Sequence, residues 1–149
     1  MTDKPTKFPP RWLKAMNKVI VWLQRRGVPL PMITLTVLGR KTGTPRSTPV
    51  TPFDVAGRRY IVAGHRGLDW VQNARSAGIG VLAQGRRKER VRLVDLPEDQ
   101  RGAILREFPV KVPRGVSMFL KTGTVAGRSP EAFEAAAPHC AVFRIEPLD

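Results

Sequence analysis

The chain has 149 residues, 42% of them hydrophobic, and this length and composition fit one ordered globular domain. Its 26 Lys and Arg residues against 12 Asp and Glu give a net charge of +14, which indicates an anionic partner: nucleic acid, an anionic membrane or a polyanionic small molecule. A single cysteine and two histidines exclude an intramolecular disulfide and a metal site of familiar ligand spacing, and no segment reaches the ~18 apolar residues of a membrane span.

The first predicted element is an amphipathic helix over residues 10–26, preceded by a polar, proline-bearing segment at residues 1–9 that we expect to be mobile. Apolar side chains recur in the helix at helical spacing, and Lys14, Lys18 and Arg25 fall on the opposite side. A glycine and a proline end it. Two roles remain open for this helix: its apolar stripe packs on the rest of the domain, or the helix lies on an anionic membrane surface.

The period of the apolar side chains then changes from helical to alternating. Residues 33–37 are predicted to form a half-buried strand, residues 47–55 a second strand and residues 60–63 a third. Pro49 and Pro52 restrict the second strand to an edge or a bulge. Because the connections are too short for crossover helices, the strands are predicted to pair antiparallel, as a meander.

The second half of the chain mixes short helices and strands. Asp69 is predicted to cap a helix over residues 70–77 that Gly78 ends. The remaining predicted elements are a hairpin of residues 81–83 and 91–94, helices at residues 97–107 and 131–137, and a closing strand at residues 141–145. The sum is an α+β, mainly β domain spanning residues 1–149, with one antiparallel barrel-like sheet and three or four helices.

Residues 39–46, Gly-Arg-Lys-Thr-Gly-Thr-Pro-Arg, form a basic loop between two predicted strands. The two glycines permit positive φ, so successive backbone N–H groups can point into one concavity. Three cations and two threonine hydroxyls surround that concavity, and such groups suit a phosphate or a run of carboxylates. A solvated hairpin turn is the alternative. The loop is not a Walker motif, because no strand–loop–long-helix unit surrounds it.

This loop, followed by Pro45-Arg46 and Thr48-Pro49, resembles the signature of the deazaflavin-dependent nitroreductases, the F420H2-dependent quinone reductase family. A strand ending at Ala63 and a helix with tryptophan and asparagine at residues 69–75 follow in the order typical of that family. The similarity covers most of the chain and is densest from the first strand to the predicted hairpin.

The resemblance implies a split β-barrel of the FMN-binding-protein type that holds coenzyme F420 in a groove, often near a homodimer interface. It also implies hydride transfer from the reduced cofactor to a small hydrophobic electrophile such as a quinone or an activated alkene. The basic loop would meet the phosphate and acidic tail of the cofactor, and later residues would run past it or line its ring system. The implied cofactor-binding residues are Arg40, Lys41, Thr42, Arg46, Ser47, Thr48, Pro49, Val50, Ala63, Gly64, His65, Asp69, Trp70 and Asn73.

Four side chains have more than one interpretation. His65 is the candidate catalytic proton donor, because imidazole titrates near neutral pH, or else a surface group. Trp70 covers the deazaflavin or fills the core, and Asn73 bonds the cofactor or local backbone. Cys140 falls inside a predicted strand and is expected to be buried and inert.

The chain departs from the family pattern in two places. The segment between the strand ending at Ala63 and Trp70 is shorter than in the nitroimidazole-activating member, and His65 and Arg66 replace small or polar residues there. In place of the tyrosines near that enzyme's substrate, this chain has Phe108, Met118 and Phe119. Cofactor binding is therefore a stronger expectation than nitroimidazole reduction.

Several other functions stay open. The same fold could hold a fatty acid, another lipid or F420 without catalysis, or it could use FMN or haem. Nucleic-acid binding is suggested only by charge and is not favoured, since no helix-turn-helix, aromatic RNA-binding surface or zinc finger is found. The predicted location is cytoplasmic, and peripheral at the inner face of the cell membrane if the first helix binds lipid.

Overall fold

Seven antiparallel strands form one sheet in the computed structural model, which describes residues 12–26 and 32–148. Their order across the sheet is β2-β1-β5-β6-β7-β4-β3. All neighbouring strands pair antiparallel, which confirms the mainly β prediction. The strands are β1 (Thr34–Leu38), β2 (Pro45–Pro49), β3 (Phe53–Val55), β4 (Arg58–Ala63), β5 (Ile79–Gln84), β6 (Arg87–Asp95) and β7 (Ala141–Pro147).

Six α-helices in the described part of the chain pack around this sheet. They are α1 (Trp12–Arg26), α2 (Asp69–Ala77), α3 (Glu98–Leu105), α4 (Phe108–Lys111), α5 (Val116–Lys121) and α6 (Pro130–Glu134). Two 3₁₀ turns, Pro113–Gly115 and Ala137–His139, join them to each other and to β7. Residues 1–11, which include the segment predicted to be mobile and the predicted start of the first helix, lie outside the described residues.

The sheet is rolled into an open barrel, because a short link joins its two edge strands. β2 and β3 lie at opposite edges, and only residues 50–52 connect them. The four residue steps from Pro49 to Phe53 span at most ~14 Å, whereas the edges of a flat seven-stranded sheet would lie ~29 Å apart. The edges approach without pairing, so the barrel is split, as the family resemblance implied.

Residues 47–55 form two strands, so the prediction of one strand is wrong. Pro49 ends β2, and Pro52 lies just before β3. A proline nitrogen cannot donate a hydrogen bond, which is why both prolines are confined to edges of the sheet. The break between them takes the chain from one edge to the other, and the predicted meander is therefore incomplete.

Helix α2 also begins differently from the prediction. Asp69 is its first residue, and its N-cap is the extended Leu68, with φ −61° and ψ 147° and no side-chain capping bond. Asp69 does not cap the helix, because it is already a helical residue, and its carboxylate instead accepts a hydrogen bond from Arg40 at 3.3 Å. Gly78 ends the helix with φ 71°, a left-handed conformation that favours glycine, as predicted.

The other elements agree with the sequence to within a few residues. The hairpin of β5 and β6 turns at Gly85, whose φ is 60°. Helices α4 and α5 lie in residues 109–130 or at their border, where the sequence assigned no element. Cys140 is buried as expected, but it precedes β7 by one residue and does not lie inside it.

Three hydrophobic clusters among the described residues hold the helices against the sheet. Because side chains alternate between the two faces along β7, Val142 packs against helices α3 to α6 and Phe143 packs on the face that contacts α2. On the outer face of β5, helix α1 buries Met16, Val19 and Leu23. The apolar stripe of α1 therefore packs on the sheet, the first of its two predicted roles. None of the described helices is long and apolar enough to cross a membrane.

Candidate functional site

The basic loop between β1 and β2 is a tight connection closed by its own backbone. The Gly39 N–H donates to the Thr44 carbonyl at 2.8 Å, and the Gly43 N–H donates to the Gly39 carbonyl at 2.9 Å. Gly43 has φ 69°, which glycine adopts without strain. The hydroxyls of Thr42 and Thr44 lie 2.7 Å apart and bond each other. The loop thus has the shape of a hairpin turn, and its ligand-binding capacity depends on which charged side chains remain free.

Arg40 is bound by helix α2. Its backbone N–H donates to Asn73 Oδ1 at 3.1 Å, and its guanidinium Nη1 donates to the same oxygen at 2.7 Å. The guanidinium also contacts Asp69, at the backbone carbonyl and at the carboxylate, both at 3.3 Å. Asn73 is buried, with 7% of its surface exposed. Three residues predicted to bind the cofactor therefore bind one another, and the backbone group that Asn73 binds is that of Arg40, 33 positions away and not local.

The side chains of Lys41 and Arg46 are unpaired in the described structure. Both are exposed, and neither side chain has a hydrogen bond or ion pair within residues 12–26 and 32–148. Lys18 of α1 adds a third cation at the loop, because its ammonium donates to the Gly43 carbonyl at 3.0 Å. Since Arg40 and Asp69 offset each other, the excess positive charge at the loop comes from Lys18, Lys41 and Arg46.

The side chains of β2 alternate between two faces of the sheet. Thr48 pairs with Leu35 and lies on the face that contacts α2. Arg46, two residues away, lies on that same face. Ser47 pairs with Thr36 on the opposite face, and their hydroxyls are hydrogen-bonded. A ligand that lies along the α2 face of β2 would contact the side chains of Arg46 and Thr48 but only the backbone of Ser47.

An apolar cavity of about 540 Å³ opens beyond the far end of β2. Six of the predicted cofactor-binding residues line it, and so do the three apolar residues noted where relatives have tyrosines; Asp69 and Asn73 do not. Its lining consists of Pro49, Val50, Thr51, Val62, Ala63, Gly64, His65, Leu68, Trp70, Phe108, Gly115, Met118, Phe119, Thr122 and Thr124.

Helix α5 forms one wall of this cavity. Phe119 packs in an aromatic cluster, with its ring centroid 5.0 Å from that of Phe108 and 5.3 Å from that of Phe133. The Thr124 hydroxyl donates to the Gly64 carbonyl at 2.9 Å and fixes the segment after α5 against the end of β4. Met118, with 68% of its surface exposed, lies at the cavity and offers an unbranched apolar side chain.

Trp70 and His65 complete the cavity from the segment around the start of α2. Trp70 is half-buried and packs on Phe143 at a centroid distance of 6.0 Å, so it both fills the core and lines the cavity. The Gly67 N–H donates to His65 Nδ1 at 2.9 Å. The nitrogen that accepts is unprotonated, so a neutral His65 ring carries its proton on Nε2.

Sequence reasoning missed six lining residues for two reasons. Val62 and Leu68 adjoin predicted site residues, and the alternation of β4 was a usable signal for Val62. Gly115, Thr122 and Thr124 fall in residues 109–130, where no periodic pattern was found, and Thr51 lies in the break between β2 and β3. Only the folded chain brings these residues together.

The model of the F420H(2)-dependent quinone reductase family matches residues 14–123, which include all but the first two residues of α1, the basic loop and all but one of the residues that line the apolar cavity. The chain belongs to that family. Membership identifies it as an F420-dependent reductase, and the family description names F420 as the cofactor and gives no support to FMN. No curated protein sequence shows significant similarity to it.

Solved structures share the fold of this F420H2-dependent quinone reductase family member. An F420-H2 dependent reductase, FDR-A, is 16% identical with TM-score 0.51, over 80% of this chain and 97% of its own. A domain-swapped dimer is 15% identical with TM-score 0.53, over 93% of this chain and 100% of its own. PhzG from Burkholderia lata 383, in complex with tetrahydrophenazine-1-carboxylic acid, is 16% identical with TM-score 0.51, over 94% and 81%. At these identities the likeness concerns the fold alone.

Proposed function

We propose that this reductase transfers a hydride from reduced F420 to a hydrophobic acceptor such as a quinone or an activated alkene. One observation supports the proposal: the free cations of the basic loop and the apolar cavity lie at the two ends of a single strand, β2. F420 has a flat deazaflavin ring at one end and a tail with a phosphodiester, lactate and glutamates at the other. The cations at one end of β2 thus fit the acidic tail of the cofactor, and the apolar cavity at the other end fits its ring.

The tail of the cofactor is assigned to Lys41 and Arg46, with Thr42 and Lys18 beside them. Arg46 can bind a phosphate or carboxylate with two parallel hydrogen bonds, and Lys41 acts as a point charge. From Arg46 to Val50 the chain rises ~13 Å, which separates the charged end of the site from the apolar end. In this arrangement Arg40 is a positioning residue, because its contacts hold the loop against α2.

The ring end of the cofactor is assigned to the apolar cavity, where Pro49, Val50, Ala63, Gly64 and Trp70 provide walls that exclude water. When bound, reduced F420 supplies the hydride, and the protein supplies orientation and surroundings. His65 is the one imidazole among the side chains that line the cavity. Its Nε2–H is the protein's available proton donor to a reduced acceptor.

F420 binding, followed by quenching of the cofactor's fluorescence, tests the assignment of the tail. We expect Lys41→Ala with Arg46→Ala to weaken binding about 10- to 100-fold, because each change removes a charged hydrogen-bond donor. Arg86→Ala with Arg90→Ala is the matched control, since both arginines are exposed on the β5–β6 hairpin and the net charge changes equally. Equal losses in the two variants, or no binding by the folded wild type, would contradict the assignment.

A non-catalytic lipid-binding protein on the same fold is the second candidate function. The exposed Met118 at the mainly apolar cavity favours lipid binding, because a bound alkyl chain would cover this apolar side chain. The two functions differ in turnover. Oxidation of F420H2 by naphthoquinone, followed by absorbance, would support the reductase, whereas co-purified fatty acid with no turnover would support the lipid-binding protein.

A homodimer and a membrane contact complete the proposal. The likeness to a domain-swapped dimer supports a homodimer, and sedimentation velocity tests it.

A membrane contact would involve α1, which exposes Lys14, Lys18, Val21 and Arg25. Since its apolar stripe is buried, any attraction to an anionic surface would be electrostatic, with about 1 kcal/mol per cation. Co-sedimentation with phosphatidylserine vesicles that is lost at high salt would support it, and no binding at low salt would contradict it.

A further inference from the structure

A second cavity, polar and of about 740 Å³, borders His65. It lies among the residues 65–67, helix α2, the end of β6 and the 3₁₀ turn before β7. Apart from His65, none of its residues was expected to bind the cofactor. Three arginines face one carboxylate there, and the full lining is His65, Arg66, Gly67, Gln72, Arg75, Asp95, Arg101 and His139.

The carboxylate in this cavity is already engaged. Arg75 Nε donates to Asp95 Oδ2 at 2.8 Å, and Arg75 Nη1 donates to the Arg66 carbonyl at 3.4 Å. The Arg66 carbonyl also accepts from Gln72 Nε2 at 2.8 Å. These bonds hold the backbone of Arg66 in place, while its exposed guanidinium has no hydrogen bond or ion pair in the described part of the chain. One full positive charge therefore stands free at the cavity mouth.

Arg101, a buried residue of helix α3, provides a second positive charge to the polar cavity. Only 8% of its surface is exposed, yet its two hydrogen bonds go to uncharged groups: Nε to the Leu96 carbonyl at 3.0 Å and Nη1 to the Ala137 carbonyl at 3.3 Å. Within residues 12–26 and 32–148, no carboxylate pairs with it. A buried charge without a counter-ion is costly, and an anion in the cavity would remove that cost.

We propose that this cavity is a second anion-binding site, which takes an oxyanion such as a phosphate, sulfonate or carboxylate. Arg66 and the fixed guanidinium of Arg101 supply the charge. The Nε2–H of His65 and the ring of His139 add hydrogen-bond donors at the rim. Because the charges of Asp95 and Arg75 offset each other, Arg66 and Arg101 leave the cavity with a net charge of about +2.

This site is separate from the one assigned to the cofactor tail. On α2, Asp69 and Asn73 face the basic loop, whereas Gln72 and Arg75 face the polar cavity. At 100° per residue the two pairs lie about 110° apart around the helix. The oxyanion could be free in solution or part of the electron acceptor, since His65 borders both this cavity and the apolar one.

Calorimetric titration of the cofactor-free protein with inorganic phosphate in low-salt buffer tests the site. All titrated proteins carry Lys41→Ala with Arg46→Ala, so that the basic loop does not bind phosphate as well. We expect one phosphate per chain and about 10-fold weaker binding in Arg66→Gln, because a charged hydrogen-bond donor is lost. Arg128→Gln is the matched control, since Arg128 is exposed and lines none of the cavities described here. Binding as tight in Arg66→Gln as in Arg128→Gln, or none in the protein without either glutamine, would overturn the proposal.

Turnover distinguishes the two sources of the oxyanion. We would compare the KM of naphthoquinone with that of naphthoquinone sulfonate in wild type and Arg66→Gln. A KM raised for the sulfonate alone would show that the acceptor carries the oxyanion, and unchanged KM values beside weaker phosphate binding would show a free oxyanion. Because the phosphate titration needs neither F420 nor turnover, failure of the reductase proposal would not affect it.

Discussion

Arg40 and Lys41 are neighbours in the basic loop, yet their side chains have different surroundings. The guanidinium of Arg40 is bound by Asp69 and Asn73, whereas Lys41 is exposed and unpaired in the described structure. The sequence predicted a charged ligand site from both residues alike. It could not separate them, because the partners of Arg40 lie 29 and 33 positions further along the chain.

Gly67 controls the position of His65. A Cβ at Gly67 would lie 2.8 Å from His65 Cε1 and 3.1 Å from Nδ1. Because the imidazole is exposed, it would move and the fold would survive. We therefore expect Gly67→Ala to lower kcat for quinone reduction, toward the ~100-fold loss expected when a general acid is removed by His65→Gln. Steady-state kinetics with unchanged F420 affinity checks this, and full activity in both variants would leave His65 without a catalytic role.

The thiol of Cys140 makes stability depend on alkaline pH. Burial raises the pKa of Cys140 from 9.0 to about 11, with the charge of Arg101 opposing the rise. The unfolded chain loses this proton first, so the associated stability is complete below pH 9 and is lost as pH rises toward 11. We expect the free energy of unfolding to fall by about 2 to 3 kcal/mol more in the wild type than in Cys140→Ala. Urea unfolding at a series of pH values measures the difference, and parallel curves would contradict it.

At the scale of elements, local patterns identified most helices and strands. Alternating side chains found β1, an apolar run after a turn found β4, and the glycine turn found the hairpin of β5 and β6. The break at residues 50–52 was missed because both flanking segments are extended and only long-range pairing separates them. Helices α4 and α5 were missed because each has few turns, and contacts with the aromatic cluster stabilise them more than any intrinsic periodicity does.

Gly80 sets the spacing between β1 and β5. A Cβ at Gly80 would lie 2.9 Å from both the Thr36 carbonyl oxygen and Val37 Cγ1. Since backbone cannot yield as a side-chain end does, we expect Gly80→Ala to destabilise the fold by about 2 kcal/mol. Gly127→Ala is the control, because its Cβ would meet only Ala132 Cβ at 3.9 Å. Denaturant unfolding compares the two variants, and equal midpoints would show that the strands tolerate the methyl group.

At the scale of the whole molecule, the net charge of +14 acts on every anionic ligand. We expect the affinity for F420 to fall as NaCl is raised, because salt screens the attraction between the acidic tail and the basic loop. The variant Lys41→Ala with Arg46→Ala should show a shallower dependence than the wild type. Fluorescence titrations over a salt series test this. Parallel dependences would mean that overall charge, and not the loop, attracts the cofactor.

The strand order across the sheet could not be predicted from the sequence, and it bears on synthesis at the ribosome. β7, at residues 141–147, is the strand between β6 and β4, although the chain has made all the others before it. Until those residues emerge, the growing polypeptide holds two incomplete half-sheets: β2-β1-β5-β6 and β4-β3. Each has an unpaired strand whose backbone groups another chain could bind. A premature stop codon before position 141 would therefore leave an aggregation-prone fragment, and chaperones would be needed most just before translation reaches β7.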